Sequence, residues 1–222
     1  MKLTLFVLSL GVVGVASAQT LVSNLHLQRQ QSGWICSGDM STAMSFTPGF
    51  DANISGITMW GFGMIRTTPL IMNIHADDNN KPGAIIFNLS GTNPGDAWSE
   101  YNFTATAVGG GGSGSGGDKP GGPGAPNGTG NIRGGRKYWV VGSSLAPGAI
   151  YGWGHTQGGG GEVGMSGWTI GDNPKVRHLN GAWEDTNWIP SQFRVNGQPV
   201  PEPASMLALG LGGIMLLRRR SR

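Results

Sequence analysis

The sequence predicts an all-β protein, an antiparallel β-sandwich of the jelly-roll type. Eight short segments are rich in β-branched and aromatic residues, as strands are. Gly, Pro, Asn and Asp separate these segments, which is typical of turns. No stretch between the two ends of the chain sustains apolar residues at positions i, i+3, i+4 and i+7, the spacing of an amphipathic helix. Short strands with turns at this spacing favour two packed antiparallel sheets.

The predicted strands can be placed one by one along the chain. In the clearest case, the apolar residues Leu70, Met72 and Ile74 alternate with other residues, as they do in a half-buried strand. The sequence DDNNKPG at 77–83 then supplies the turn before the next apolar run. The same reasoning predicts strands at residues 43–50, 53–62, 69–76, 83–90, 97–108, 136–145, 149–156 and 191–197.

The first 18 residues have the order of a secretory signal peptide. Lys2 supplies the positive charge, residues 3–15 are apolar, and Ala16-Ser17-Ala18 supplies the small residues of a cleavage site. We predict a signal helix over residues 1–18, with cleavage after Ala18 and export of the chain. The alternative is a buried N-terminal helix, but packing gives no reason for the A-x-A ending.

The middle of the chain contains a low-complexity segment at residues 109–135. Glycine makes up 14 of its 27 residues, and only Ala125 and Ile132 are apolar enough to join a core. Such a segment cannot offset the entropy that it would lose on ordering. We therefore predict a disordered Gly-rich loop that interrupts, without dividing, one domain formed by residues 19–199.

The charge of the chain is unevenly distributed. The formal net charge is +3, but the leader and the last residues contribute most of the excess cations. Residues 19–200 contain ten Lys/Arg and eleven Asp/Glu, so the body is close to neutral. A neutral body without a basic stripe argues against a nucleic-acid partner.

The last residues, 200–222, read VPEPASMLALGLGGIMLLRRRSR. The triplet Pro201, Glu202 and Pro203 precedes an apolar stretch at 204–217, and an arginine cluster follows. The 14 apolar residues would give a helix of about 21 Å, shorter than a hydrocarbon core of about 30 Å. Cytoplasmic arginines would fix its orientation and stop export. The three arginines that follow the span directly are Arg218, Arg219 and Arg220.

These three parts resemble, in order and spacing, the PEP-CTERM sorting tail of bacterial exported proteins. The resemblance implies that an exosortase-type membrane enzyme acts at Pro201–Pro203. It implies a membrane-held precursor that later reaches the cell envelope surface or the extracellular matrix. The alternative is a plain C-terminal anchor with a helix-breaking junction.

The body is also similar, more loosely, to β-sandwich domains that accompany this tail. An ITxxWG strand appears at 57–61, and the DDNNKPG turn follows at 77–83. Shorter signatures are a Tyr-Trp pair at 138–139, Trp-Gly-His at 153–155 and Phe-Arg at 193–194. The Gly-rich segment departs from that pattern.

Groups that could carry chemistry are sparse. The single cysteine, Cys36, is expected to be a buried small apolar residue. The four histidines are scattered, so we expect no metal site, no cofactor and no enzymatic activity. Asp77, Asp78 and Asn79 are oxygen ligands of the kind that Ca²⁺ takes, although they are also ordinary turn residues. The adjacent carboxylates Glu184 and Asp185 would point to opposite faces of a strand.

The eight tryptophans are the most unusual feature of the composition. We assign those in predicted strands, Trp60, Trp98 and Trp139, to core packing. The later ones lie among Gly, Asn and Asp, where rings are harder to bury. They either cap the end of the sandwich or, beside polar side chains, bind sugar rings. The candidate glycan contacts are Trp153, His155, Trp168 and Trp183.

Two classes of function follow. The first is a non-enzymatic exported protein of the cell surface or extracellular matrix, sorted through its tail and associated with exopolysaccharide. The second is a glycan-binding or glycan-active module that uses the Trp-rich end of the sandwich. We favour the first class, because only the late tryptophans support the second.

Overall fold

Every regular element in the described part of the chain is a β-strand. The computed structural model describes residues 18–108, 131–146, 148–157, 161–179, 181–186 and 189–201. All eight predicted strands are present, and the all-β class is confirmed. The strands are β1 Gln19–Ser23, β2 Arg29–Ser37, β3 Met40–Thr47, β4 Ala52–Ile65, β5 Leu70–Asp77, β6 Pro82–Gly91, β7 Ser99–Ala107, β8 Asn131–Ile132, β9 Tyr138–Ser144, β10 Ile150–Thr156, β11 Val163–Gly164, β12 Thr169–Ile170, β13 Lys175–His178, β14 Glu184–Asp185 and β15 Phe193–Pro199.

The strands form one hydrogen-bonded network in which every pairing is antiparallel. The main path runs β11-β1-β15-β4-β7-β6-β5-β9-β3-β13-β14. The network branches at β4, which also pairs with β8 and β10, and at β3, which also pairs with β12; β10 pairs in turn with β2. Antiparallel pairing between neighbours in sequence, such as β5 with β6 and β6 with β7, is what short turns allow.

The network curls over a shared core. The rings of Phe46 on β3 and Phe193 on β15 have centroids 6.5 Å apart. Six strand-to-strand steps separate β3 from β15 along the main path, so a flat sheet would place them about 29 Å apart. Strands β3 and β15 must therefore face each other across the core. The division of the curled network into two packed sheets, a sandwich, remains a prediction.

The core is apolar and aromatic, as the alternation of the strands predicts. Residues that point inward from β3, β4, β5, β9, β10 and β15 are almost fully buried. Cys36 of β2 is buried in the same core, as predicted. A second, small cluster of Ala43, Trp139 and Val141 forms on the other side of β3 and β9, covered by Trp183. The largest fully buried side chains are Trp139, Trp153, Tyr151, Phe46, Phe87 and Phe193.

The predicted loop at 109–135 is too long at its C-terminal end. Strand β8 pairs with the start of β4, and its Ile132 is only 1% exposed. The next turn is also held, because the Gly134 amide donates to Asp51 Oδ1 (2.9 Å) and the Gly135 amide donates to the Pro48 carbonyl (2.7 Å). Gly135 adopts a φ of 72°, a conformation that favours glycine. Residues 109–130 lie outside the described residues.

Both predicted helices also lie outside the described residues, since the structure describes neither 1–17 nor 202–222. In the part that it describes, no helix has the length and apolar character needed to cross a membrane.

Candidate functional site

Strands β4 and β10 pair so that a glycine of one strand lies opposite an aromatic residue of the other. On the inner side, Gly61 and Gly63 of β4 lie opposite Trp153 and Tyr151 of β10. On the outer side, Phe62 of β4 lies opposite a glycine of β10, Gly152. Because side chains alternate along each strand, the glycines of one strand leave room for the rings of the other.

Three aromatic rings lie on the outer side, above the glycines of β10. A Cβ at Gly152 would overlap the Phe62 ring, and one at Gly154 would overlap Trp60 and approach Trp98 to 2.9 Å. Trp98 packs against both neighbours, with ring centroids 4.4 Å from Phe62 and 6.1 Å from Trp60. All three side chains are half-buried. We call Trp60, Phe62 and Trp98 the aromatic face.

Charged side chains border the aromatic face. The guanidinium carbon of Arg29 lies 4.2 Å from the centre of the Trp60 ring, a cation–π contact. Glu100 is directly opposite Trp60 in register. One carboxylate oxygen of Glu100 pairs with Arg29, and the other lies 3.5 Å from Arg194 Nη2. About a third of each of these side chains is exposed. We call Arg29, Glu100 and Arg194 the charged rim.

A row of amide side chains continues from the charged rim along β4 and its neighbours. The hydroxyl of the buried Thr58 donates to Asn102 Oδ1 (2.7 Å). The same hydroxyl oxygen accepts from Asn196 Nδ2 (3.1 Å) and from Arg194 Nη2 (3.2 Å). Asn102 is exposed, while Arg194 and Asn196 are partly covered. These bonds hold the polar groups in fixed orientations beside the aromatic face.

This arrangement is a surface that can bind a ligand. Half-exposed rings offer an apolar platform, and fixed donors and acceptors at its border give direction. The charges of the rim are engaged with each other, so the carboxylate of Glu100 is held between two guanidinium groups. The described ranges contain no cluster of three or more His, Cys, Asp or Glu that could hold a metal ion.

The structure buries most of the residues that the sequence proposed as glycan contacts. Trp153 is 0% exposed, and its indole donates to the Gln192 carbonyl (2.9 Å). Trp168 is 4% exposed and stacks on Phe46. The expectation that these two rings would be hard to bury is wrong, because Trp153 points inward from a strand and Trp168 packs into the core from a turn.

The other two proposed contacts lie apart from each other. His155 is 7% exposed, 5.8 Å from the Trp34 ring, and burial lowers the pKa of its imidazole. Trp183 is half-buried over the small cluster around Trp139, and Arg177 lies 4.8 Å from its ring centre. Trp183 therefore belongs to a different face of the protein from the aromatic face.

Trp60 and Trp98 depart from prediction in the opposite direction, because the sequence assigns them to core packing. Both rings lie on the outer side, while Trp139, the third ring assigned to the core, is 1% exposed. One signal in the sequence could have separated them. In Tyr151-Gly-Trp153-Gly-His155 the large residues recur every second position, which predicts a strand with one bulky side and one bare side. WGFG at 60–63 has the same period.

The acidic turn at 77–83 is occupied by protein donors. Asp77 Oδ1 accepts from the Trp139 indole (2.7 Å), and its Oδ2 accepts from the Asn80 amide (3.1 Å). Asn79 and Asn80 both have positive φ, 53° and 62°, which is common for asparagine in turns. These hydrogen bonds and backbone angles are those of a turn.

The sorting triplet begins where the sheet ends. The Val200 amide donates to the Asp51 carbonyl (2.9 Å), the last backbone bond of this segment. Pro201 follows and is exposed. Glu202, Pro203 and the arginines Arg218, Arg219 and Arg220 lie outside the described residues.

Comparison with known proteins identifies the tail. Residues 199–221 match the family model of the PEP-CTERM protein-sorting motif, which confirms the resemblance stated from the sequence. The motif indicates an exported protein that is membrane-anchored as a precursor and handled by an exosortase. No curated protein and no solved structure matches the chain.

Proposed function

We propose that this protein, an all-β body with a PEP-CTERM sorting motif, is a non-enzymatic component of the bacterial cell surface or extracellular matrix. In this proposal its body associates with exopolysaccharide once the tail has delivered it. The observation that carries the proposal is the motif match at residues 199–221, which begins at the last residue of β15. A sorting tail on an exported body makes material outside the cell the natural partner.

The two junctions of the body support this assignment. Gln19, the first residue after the predicted leader, pairs with Gly197 of β15. Both sequences proposed to enter the membrane, the leader and the tail, therefore leave the body at one end. The start of β4 lies at the same end, because Ala52 pairs with Pro199.

The aromatic face lies away from that end. Trp60 and Phe62 are eight and ten residues along β4 from Ala52. At about 3.3 Å per residue, they stand roughly 25–35 Å from the junctions with leader and tail. A precursor held at the membrane would thus present the aromatic face outward, where extracellular polymer is found.

The state of the carboxylates supports a non-enzymatic role. A glycosidase uses two carboxylates that face one bond. Here Glu100 is paired with two arginines, and Asp185 is paired with Lys175. Glu184, next to Asp185 on β14, occupies the neighbouring register position and points to the other face. A glycan-binding module therefore fits these residues better than a glycan-active one.

Fractionation of cells tests the proposal. The full-length protein would be produced in a bacterium that has an exosortase, alongside a variant that ends at Val200. We expect the full-length protein in the surface or matrix fraction, and its release when the exopolysaccharide is digested. The variant should be found in the medium or periplasm.

Two results would contradict the proposal. The full-length protein could stay in the membrane fraction and be unaffected by digestion of the polymer. That result would contradict the proposed association with exopolysaccharide. New reducing ends produced by the purified protein from a polysaccharide would show an enzyme.

A further inference from the structure

We infer that the aromatic face and the charged rim form a binding site for the neutral pyranose rings of a polysaccharide. This inference rests on the proposed function and gives it a site and a ligand class. Trp60, Phe62 and Trp98 would contact the apolar faces of the sugar rings. Glu100, Arg29 and Asn102 would bond their hydroxyl groups.

The first argument is the shape of the surface. Beyond the rings of β4, the neighbouring strand positions carry no side chain, since Gly152 lies between Phe62 and Ile35 and Gly33 lies opposite Gly154. Arg29 of β2 lies against one face of the Trp60 ring, so Phe62 and Trp98 are the rings that these glycines leave open. The planes of Phe62 and Trp98 are tilted by 42°, so each half-exposed ring can contact the apolar face of a different pyranose ring.

The second argument is the length of the surface. The outward side chains of β4 that reach the surface are Trp60, Phe62 and Met64, a strip about 13 Å long. Apolar area continues past Phe62, because Met64 is 61% exposed and Ile35 is 43% exposed. The strip is longer than one six-membered ring, which favours a polymer over a single sugar.

The third argument is charge. Arg29 and Arg194 both contact the carboxylate of Glu100, so neither cation is left without an anion. An acidic polymer would have to displace Glu100 from its two arginines and would meet its negative charge. Hydroxyl groups face no such barrier, because they both donate to Glu100 and Asn102 and accept from Arg29. The rim thus selects neutral sugars.

The fourth argument is preorganisation. Thr58 holds Asn102, Asn196 and Arg194 through hydrogen bonds of 2.7–3.2 Å. Arg29 is held between Glu100 and the Trp60 ring. Side chains that are already ordered lose little further entropy when a ligand binds. This makes the surface suited to a flexible chain that itself loses freedom on binding.

Affinity electrophoresis of the mature protein from the envelope fraction tests the inference. The gels would contain neutral polymers (a β-glucan, an α-glucan or a galactomannan) or acidic ones (alginate or hyaluronan). We expect retardation by at least one neutral polymer, unchanged in about 0.5 M NaCl, where exposed ion pairs are screened. We expect Trp98→Ala to weaken that binding roughly tenfold or more.

Matched variants separate the site from the fold. Trp183→Ala removes a half-buried tryptophan from a different face and should leave binding unchanged. Asn102→Ala removes an exposed side chain of the amide row and should weaken binding, with a small loss of melting temperature because the buried Thr58 hydroxyl loses its acceptor. Thermal unfolding of each variant would identify any loss of binding that follows from loss of structure.

Three results would overturn the inference. The first is retardation by acidic polymers alone that disappears in salt. The second is equal binding by the wild-type protein and by the Trp98→Ala and Asn102→Ala variants. The third is no retardation by any polymer. In each case the proposed function would still stand if the protein fractionates with exopolysaccharide in cells. The proposed function would fail separately if digestion of the exopolysaccharide did not release the protein.

Discussion

Trp153 of β10 lies directly opposite Gly61 of β4 in the sheet. The same two strands place Phe62 opposite Gly152 on the other side. The two strands therefore divide their large residues between the core and the outer surface. This division decides which tryptophans are structural and which can meet a ligand.

The first prediction concerns the Gly-rich segment. Replacing residues 109–130 by a Gly-Ser linker of about eight residues should change the free energy of unfolding by less than about 1 kcal/mol, because loop closure depends weakly on length. Replacing residues 109–135 should lower the free energy of unfolding by about 2–4 kcal/mol more than replacing 109–130, since it removes the buried Ile132. Urea titration of both variants measures the difference. Equal stability of the two would show that β8 contributes nothing.

The second prediction concerns a buried cation. The Lys175 side chain is 5% exposed, and its ammonium pairs with Asp185. Asp185→Asn leaves that ammonium without an anion and should destabilise the protein by about 1–3 kcal/mol. Asp96→Asn is the matched control, because Asp96 pairs with Arg66 on the surface and is 80% exposed. Its effect should stay below about 0.5 kcal/mol. Equal effects in chemical denaturation would refute the role of Lys175 burial.

The third prediction concerns pH. Burial lowers the pKa of His155 and, against a hydrogen bond to Gly83, the pKa of His75. Below about pH 6.5 the unfolded chain binds more protons than the folded one, so stability rises with pH in this range. The melting temperature should fall as pH is lowered from about 7.5 to about 5.5.

A variant and its control connect this pH dependence to the buried imidazoles. His155→Gln should reduce the slope of melting temperature against pH. His26→Gln changes an exposed side chain and should keep the wild-type slope. A melting temperature that rises on acidification would contradict the argument.

The fourth prediction concerns the thiol. Cys36 is fully buried, and burial raises its pKa to about 12. Thiolate is the reactive form, so the folded protein should not react with a thiol reagent at about pH 8. One equivalent should react in denaturant. Rapid labelling of the native protein, or a disulfide-linked dimer in the surface fraction, would show that Cys36 is accessible.

The sequence predicted the strands better than the roles of their side chains. Apolar alternation identified β5, and aromatic and β-branched residues identified β4 and β9. Strand β1 was missed because Gln19–Ser23 follows the leader without a turn signal, and β2 because RQQSGWICS shows no clear period. Strands of two residues, such as β11 and β12, depend on partners that are distant in sequence.

The tryptophans show why the site was harder to predict than the fold. Glycines around Trp153 suggested a ring that is hard to bury, but they are the outward positions of a strand. Which side of β4 faces the core depends on its pairing with β10, β15 and β7 together. That pairing is a property of the whole sheet, so composition near Trp60 and Trp98 could not reveal it.

The most direct test of the central claim is the intact mass of the protein isolated from the cell surface. If the chain is exported and sorted through its tail, that mass corresponds to a protein that begins at Gln19 and lacks the arginines at its end. A Glu202→Ala variant should accumulate as the membrane-held precursor. Surface material that still carries Arg222 would contradict sorting by an exosortase and leave only a plain C-terminal anchor.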